Sequence, residues 1–254
     1  MVCSRIDNHA VAQSLYHIGE NHGRDAACCV STGGLPMIAE ADVALTDYAL
    51  AVETFLFCFW IGRSSDSSSL ARWFLLFFAS IGLAALVGGT VHGFLTNPQS
   101  ANAVVFWLAT MILLGVTALA EYGIAAQLLL DRRPARLMTF VALLIFVIYI
   151  GVVVFWNAEF RIAIIDYLLG ILFLCAAFTR LYVRDRSPQV LLGVTGLLLT
   201  VIASVLQQAR ISIHPRYFNH NALYHLLEAI ALFLIYRAAR SLLTMVLETQ
   251  MPGM

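Results

Sequence analysis

Lysine is absent from this chain of 254 residues, and only 12% of the residues are charged, against about 25% in ordinary soluble proteins. The 15 basic residues are therefore all arginines, and they balance 15 acidic residues to a formal net charge of zero. A retinal protein needs a lysine amine for its Schiff base, so a seven-helix rhodopsin is excluded. A neutral chain also lacks the generally basic surface that nucleic acids require, so we expect no nucleic-acid partner.

Cysteine is scarce as well, with five residues and no Cys-x-x-Cys spacing. Three of them lie in residues 1–41, a polar N-terminal tail that we expect to be poorly ordered. The other two, Cys58 and Cys175, fall inside apolar runs. Neither a disulfide framework nor a zinc ribbon is indicated.

Long apolar runs dominate the rest of the chain. Of all residues in the full sequence, 61% are hydrophobic. A transmembrane helix needs about 20 mostly apolar residues, and seven runs qualify: 43–62, 70–95, 101–130, 137–156, 160–183, 189–209 and 220–243. We therefore predict an all-α, multi-pass integral membrane protein. Its seven-helix domain covers residues 42–244, a short tail covers 245–254, and the lipid bilayer is its surroundings.

Short connections between the runs predict an up-and-down bundle. Within the second run, Gly89 and Gly93 form a Gly-x-x-x-Gly spacing, which permits close approach of a neighbouring helix. Arginines concentrate on one side, after helices one, three and five and near the C-terminus: Arg63, Arg72, Arg132, Arg133, Arg136, Arg180, Arg184, Arg186, Arg237 and Arg240. The positive-inside rule then predicts a cytoplasmic C-terminus and an outside N-terminus.

Polar residues inside the predicted membrane region lie at one depth. Ionisable groups there cost about 2.5 to 3.5 kcal/mol on insertion scales, so each is a functional candidate. Helical rise puts seven of these residues, from five different helices, near the outer ends of their helices: Asp47, His92, Asp166, Gln207, Gln208, His220 and His225. The coincidence predicts a polar cluster in the outer leaflet that either binds a lipid or another small molecule or only locks the helices together.

The last predicted helix carries a polar face. Asn221, His225 and Glu228 follow an i, i+4, i+7 spacing and so share one side of the helix. His220 points about 140° away from His225 if both are helical. If Asn219 or Asn221 caps the helix, His220 instead belongs to the irregular entry and can turn inward.

One specific hypothesis is a zinc site formed by His92, His225 and either His220 or Asp166. Three such ligands plus water form the open coordination of catalytic zinc, which supplies hydroxide for hydrolysis. Glu228 or Asp47 then orients a ligand or moves a proton.

Other interpretations remain open for the same residues. A histidine near a helix end commonly bonds a backbone carbonyl or faces lipid headgroups, and we expect Asp47 to face the outer water. Pairing with Arg161 at the interface is as consistent with the position of Asp166 as a role in the site. Glu121 lies deeper, where pairing with an arginine or a tyrosine hydroxyl would set helix packing. His92 and His225 are also placed as opposed axial ligands of a b-type haem would be.

Two segments carry a family resemblance. The segment 218–227, Phe-Asn-His-Asn-Ala-Leu-Tyr-His-Leu-Leu, and the segment 88–92, Gly-Gly-Thr-Val-His, resemble motifs of the seven-helix hydrolase superfamily of alkaline ceramidases and progestin/adipoQ receptors. Members carry Ser-x-x-x-His in helix two and His-x-x-x-His in helix seven, and bind zinc to hydrolyse lipid amides. The resemblance implies that His92 and His225 are zinc ligands. Gly88 and Asn221 stand where the family has the serine and the first histidine.

These observations rank three functions. A membrane protein of undefined activity with a ligand-binding polar cluster comes first, because two motif positions depart from the family pattern. A metal-dependent hydrolase of lipid amides or esters comes second, and a haem protein third.

Overall fold

The computed structural model describes residues 38–63, 68–214 and 217–250, the side chains of 246–250 excepted. These residues form seven α-helices: α1 (Ala41–Gly62), α2 (Ser69–Phe94), α3 (Ala101–Leu129), α4 (Arg132–Phe155), α5 (Phe160–Asp185), α6 (Pro188–Gln208) and α7 (His220–Gln250). The all-α prediction is confirmed, and every helix overlaps a predicted apolar run. Helix α7 continues past the predicted end at residue 243. The predicted N-terminal tail lies outside the described residues as far as residue 37.

Six of the helices, α1 to α6, are long and apolar enough to cross a membrane, judged by length and composition. The chain therefore has the character of a multi-pass membrane protein. Helix α7 does not belong to this set, and it carries Glu228, Arg237 and Arg240 along its length. The seventh span and the sidedness of the two termini stay predictions.

Polar caps begin several of these helices. At the start of both α2 and α3, a serine side chain accepts a hydrogen bond from a backbone amide. At the start of α7, Asn219 Oδ1 accepts hydrogen bonds from the backbone amides of Asn221 (2.8 Å) and Ala222 (3.1 Å). Asn219 is thus one of the two predicted caps, and His220 is the first residue of the helix.

The order of the helices in space differs from their order along the chain. Helix α1 packs against α2 and α7, α2 against α3, α3 against α5, α5 against α6, and α6 against α7. These six helices close a ring. Helix α4 lies outside the ring and packs against α3, where the Tyr149 hydroxyl donates to the Met111 carbonyl oxygen at 2.8 Å.

Helix α1 approaches the glycine face of α2 closely. A β-carbon on Gly89 would lie 2.8 Å from the Asp47 β-carbon and 3.3 Å from the Ala44 carbonyl oxygen. One on Gly93 would lie 3.2 Å from the Ala44 β-carbon. The close approach expected from the Gly-x-x-x-Gly spacing is therefore present, and it presses the Asp47 backbone against α2.

Neighbouring glycines of α2 provide a matched test of this packing. Gly89→Ala should destabilise the protein by about 1 to 3 kcal/mol, the usual cost of overpacking. Gly88→Ala should be neutral or stabilising, because its β-carbon would meet nothing closer than 3.7 Å and alanine is the better helix former. Thermal unfolding in one detergent measures both. Equal Tm values for the two variants would contradict the proposed packing.

Candidate functional site

The beginnings of α1 and α7 and the end of α2 meet at one end of the ring, here called the histidine end. The backbone amides of Ala39 and Glu40 donate to the carbonyl oxygens of Gly93 (3.1 Å) and His92 (3.3 Å). The Asn219 amide donates to Asp42 Oδ2 at 3.0 Å. These bonds fix the entry to α1 between α2 and α7.

Asp47 of α1 and His225 of α7 form a buried pair at this end. His225 Nε2 lies 3.3 Å from Asp47 Oδ1, and Asp47 is only 4% exposed. On its other side, His225 Nδ1 lies 3.1 Å from the Thr46 hydroxyl. Both ring nitrogens of His225 therefore contact α1, and the expectation that Asp47 faces water is wrong, because α1 turns that residue toward the interior.

Neighbouring side chains of α1 engage both ring nitrogens of His225. The Thr46 hydroxyl donates to the carbonyl oxygens of the preceding turn, at Asp42 and Val43 (both 2.9 Å). The tautomer of His225 decides whether Nδ1 donates to or accepts from this hydroxyl. Nε2 is held beside Asp47, so Thr46 and Asp47 together engage both ring nitrogens.

His92 of α2 has a second carboxylate partner. Its Nδ1 lies 3.0 Å from Glu40 Oε2, just before α1 begins. His92 also interacts electrostatically with Asp47 and with His225. Two carboxylate–imidazole pairs, Glu40 with His92 and Asp47 with His225, thus lie together at this end, and we call these four residues the histidine cluster.

A cavity of about 590 Å³ opens beneath the histidine cluster. Its walls come from every helix of the ring, and its lining is mainly apolar. It reaches from Glu40 and Pro98 at the histidine end to Ile235, which lies fifteen residues into α7, or about 22 Å by helical rise. Its volume falls within the range of about 300 to 1,000 Å³ usual for small-molecule sites.

Two acidic residues line the deeper part of this cavity. Glu228 of α7 and Glu121 of α3 are 7% and 2% exposed. The Thr200 hydroxyl donates to Glu228 Oε1 at 3.3 Å. Within the described part of the chain, the Oε2 atoms of both glutamates lack a hydrogen-bond partner.

Hydroxyl groups complete the polar stripe between these acids and the histidine end. The Tyr167 hydroxyl is hydrogen-bonded to the Ser204 hydroxyl and to Tyr224, which joins α5, α6 and α7. Closer to the end, Gln207 Nε2 donates to Asn221 Oδ1 at 3.2 Å. The cavity is apolar on the α2 side and polar along α6 and α7.

Comparison with known protein families identifies the family of this chain. The model of a family of unknown function, DUF6962, matches residues 43–244. The protein belongs to this family. No curated protein and no solved structure matches the chain.

The DUF6962 region contains every residue predicted for the site, and the structure brings part of them together. His92, Asp47 and His225 meet in the histidine cluster, and Glu228 lies deeper in the same cavity. Asp166 instead interacts electrostatically with Glu121, Tyr122 and Tyr149, on the side of α3 and α4. Asp166 and His220 do not line the cavity.

The predicted zinc site stays a prediction, and the side chains present fit a metal poorly. Among the described residues there is no group of three or more His, Cys, Asp or Glu residues able to hold a metal ion. Both nitrogens of His225 are engaged with Thr46 and Asp47, so a metal would have to displace one of them. The same obstacle applies to haem, which also stays a prediction.

Four residues of the site were not predicted in the roles that they have in the structure. Glu40 and Thr46, which bond the two histidines, carried a usable signal because Glu40 lies just before the first apolar run and Thr46 is a polar residue next to Asp47 inside it. Thr200, the partner of Glu228, carried none, since a threonine in an apolar helix usually bonds its own backbone. Glu121 was expected to pair with an arginine or a tyrosine, and its Oε2 atom has no such partner within the described residues.

Substitution of Asp47 tests the buried pair. Asp47→Ala leaves Nε2 of His225 without its protein partner and should lower the free energy of unfolding by about 1 to 3 kcal/mol. Asp47→Asn keeps a partner for Nε2 and should cost less. Thermal unfolding in detergent measures the difference, with Asp185→Ala, at an exposed carboxylate, as a control expected within about 0.5 kcal/mol of the wild type. Equal losses for the alanine and asparagine variants at position 47 would refute the pair.

Proposed function

We propose that this protein binds a small amphipathic molecule inside its helix ring, with the apolar part in the cavity and the polar part along the stripe of α6 and α7. The observation that carries this proposal is the cavity of about 590 Å³, which contacts all six ring helices. Packed protein interiors leave few voids larger than a water molecule. A space of this size is therefore a site that a ligand fills.

The lining of the cavity indicates the character of the ligand. Phe77, Ile81 and Leu197 offer apolar surface, whereas Glu228, Thr200 and Tyr224 offer hydrogen-bonding groups. A purely apolar molecule would leave the buried polar groups without partners, which costs free energy. A strongly polar molecule would leave the apolar wall uncovered. An amphipathic molecule satisfies both walls.

The histidine cluster supports a role at the mouth of the same site. His92, Asp47 and His225 line the cavity at the end where α1, α2 and α7 meet. Asp47 and His225 combine a carboxyl group with an imidazole, so the pair can donate to or accept from a polar group that enters there. The cluster therefore recognises the ligand on entry, and the ring holds it.

Native mass spectrometry of protein released from cell membranes in a mild detergent tests the proposal. The wild type should carry one small molecule per chain. Ala84→Phe adds a ring at a cavity-lining position and should remove that molecule. Leu83→Phe, at the exposed neighbouring position, is the matched control and should keep it.

Two outcomes would contradict the proposal. One is a wild-type protein that leaves the membrane with no bound molecule. The other is equal occupancy in the wild type, in Ala84→Phe and in Val91→Phe, which fills the cavity from a second position on α2. Thermal unfolding of each variant confirms beforehand that it is folded.

A metal-dependent hydrolase of lipid amides or esters is the second candidate, favoured by the meeting of His92, Asp47 and His225 at one end of the cavity. It predicts about one zinc ion per purified chain, lost in His92→Ala. Elemental analysis after purification without chelators checks this. A metal-free protein whose stability zinc does not raise would exclude it.

A further inference from the structure

We infer that the ligand carries a protonated amine, and that its ammonium group lies between Glu121 and Glu228. This inference rests on the proposed function, because it names the chemical class of the molecule in the cavity. Its basis is a pair of cavity-lining glutamates, each with one buried carboxyl oxygen that has no hydrogen-bond partner among the described residues.

Two buried glutamate oxygens of the cavity need a hydrogen-bond donor. More than about nine in ten buried polar groups in proteins have a partner, yet the Oε2 atoms of Glu121 and Glu228 have none among the described residues. Both glutamates line the cavity. The missing donor is therefore expected from whatever occupies the cavity.

Acidic side chains outnumber basic ones in the described cavity wall. Besides tyrosines, the described cavity wall holds four acidic side chains, two histidines and no arginine. Glu40 lies beside His92, and Asp47 beside His225. Two carboxyl groups, Glu121 and Glu228, remain without a basic side chain in the wall, and they interact electrostatically with each other. One ammonium group between them pairs with one carboxylate while the other carboxyl group keeps its proton, since buried charges are favourable only when paired.

Neighbouring residues fix both carboxyl groups in position. Thr200 donates to Glu228 Oε1, which leaves Oε2 as the atom available to a ligand. The carboxyl group of Glu121 lies against Gly170 of α5, where a side chain would leave it no room. An ammonium group has three donors on one centre, so it has enough donors for both acids, whereas a hydroxyl group has only one.

A ligand series tests the inference with three ten-carbon probes that differ in one group: decylamine, decanol and decanoate. Each is titrated into the full protein in lipid nanodiscs, and binding is read from the shift in Tm. Ala84→Phe, with its filled cavity, measures the effect of probe in the bilayer and is subtracted. Decylamine should bind about tenfold or more tighter than decanol, because hydrogen bonds to charged groups are the stronger ones. Decanoate should bind weakest.

Charge-removing variants locate the contact. Glu121→Gln and Glu228→Gln should each reduce the advantage of decylamine over decanol to about threefold or less, because the amide that replaces the carboxylate carries no charge. Asp166→Asn removes a membrane carboxyl group that does not line the cavity, and it should keep the full advantage. The wild-type series stands by itself if a glutamine variant fails to fold.

The outcomes separate this inference from the proposed function. Equal binding of decylamine and decanol, or an advantage that survives in both glutamine variants, overturns the ammonium assignment and leaves a cavity that binds amphiphiles. Tighter binding of decanoate overturns it as well. If none of the probes shifts the wild type more than Ala84→Phe, the proposed function itself fails.

Discussion

Contact between α1 and the glycine face of α2 is the constraint on which the remainder of the site depends. Without side chains at Gly89 and Gly93, α1 comes close enough to fix the rotation of Asp47 and the entry residue Glu40. That rotation decides whether Asp47 meets His225 or the surroundings. Because lipid cannot solvate a carboxylate, the same contact that packs two helices also selects which polar groups line the cavity.

The ring distributes its polar groups according to depth. Carboxylate and imidazole groups pair with each other at the histidine end, and hydroxyl and amide groups follow along α6 and α7. Glu121 and Glu228 lie deepest, and their Oε2 atoms have no hydrogen-bond partner among the described residues. The protein therefore satisfies the polar groups near the mouth and leaves these two oxygens open in the interior. Such an arrangement is typical of a site prepared for an occupant rather than of a core that only stabilises the fold.

Sequence reasoning recovered the helices and part of the site for identifiable physical reasons. Long apolar runs predict helix bounds well, since the spacing of turn residues fixes them locally. The burial of Asp47 was not predictable, because it depends on the rotation of α1 against α2 and not on the depth of the residue. Nor was the position of α4 outside the ring, because its apolar run resembles the others. Thr200 and Glu121 gain their roles from helices distant in sequence.

The pairing of Asp47 with His225 joins the first described helix to the last. During translation, α1 enters the bilayer long before residue 225 leaves the ribosome, so the carboxyl group waits without its partner while the five intervening helices are made. Closure of the ring is thus the final event of synthesis rather than an early one. Any chain that ends before α7 retains an uncompensated acid in α1, a defect that cellular quality control can detect.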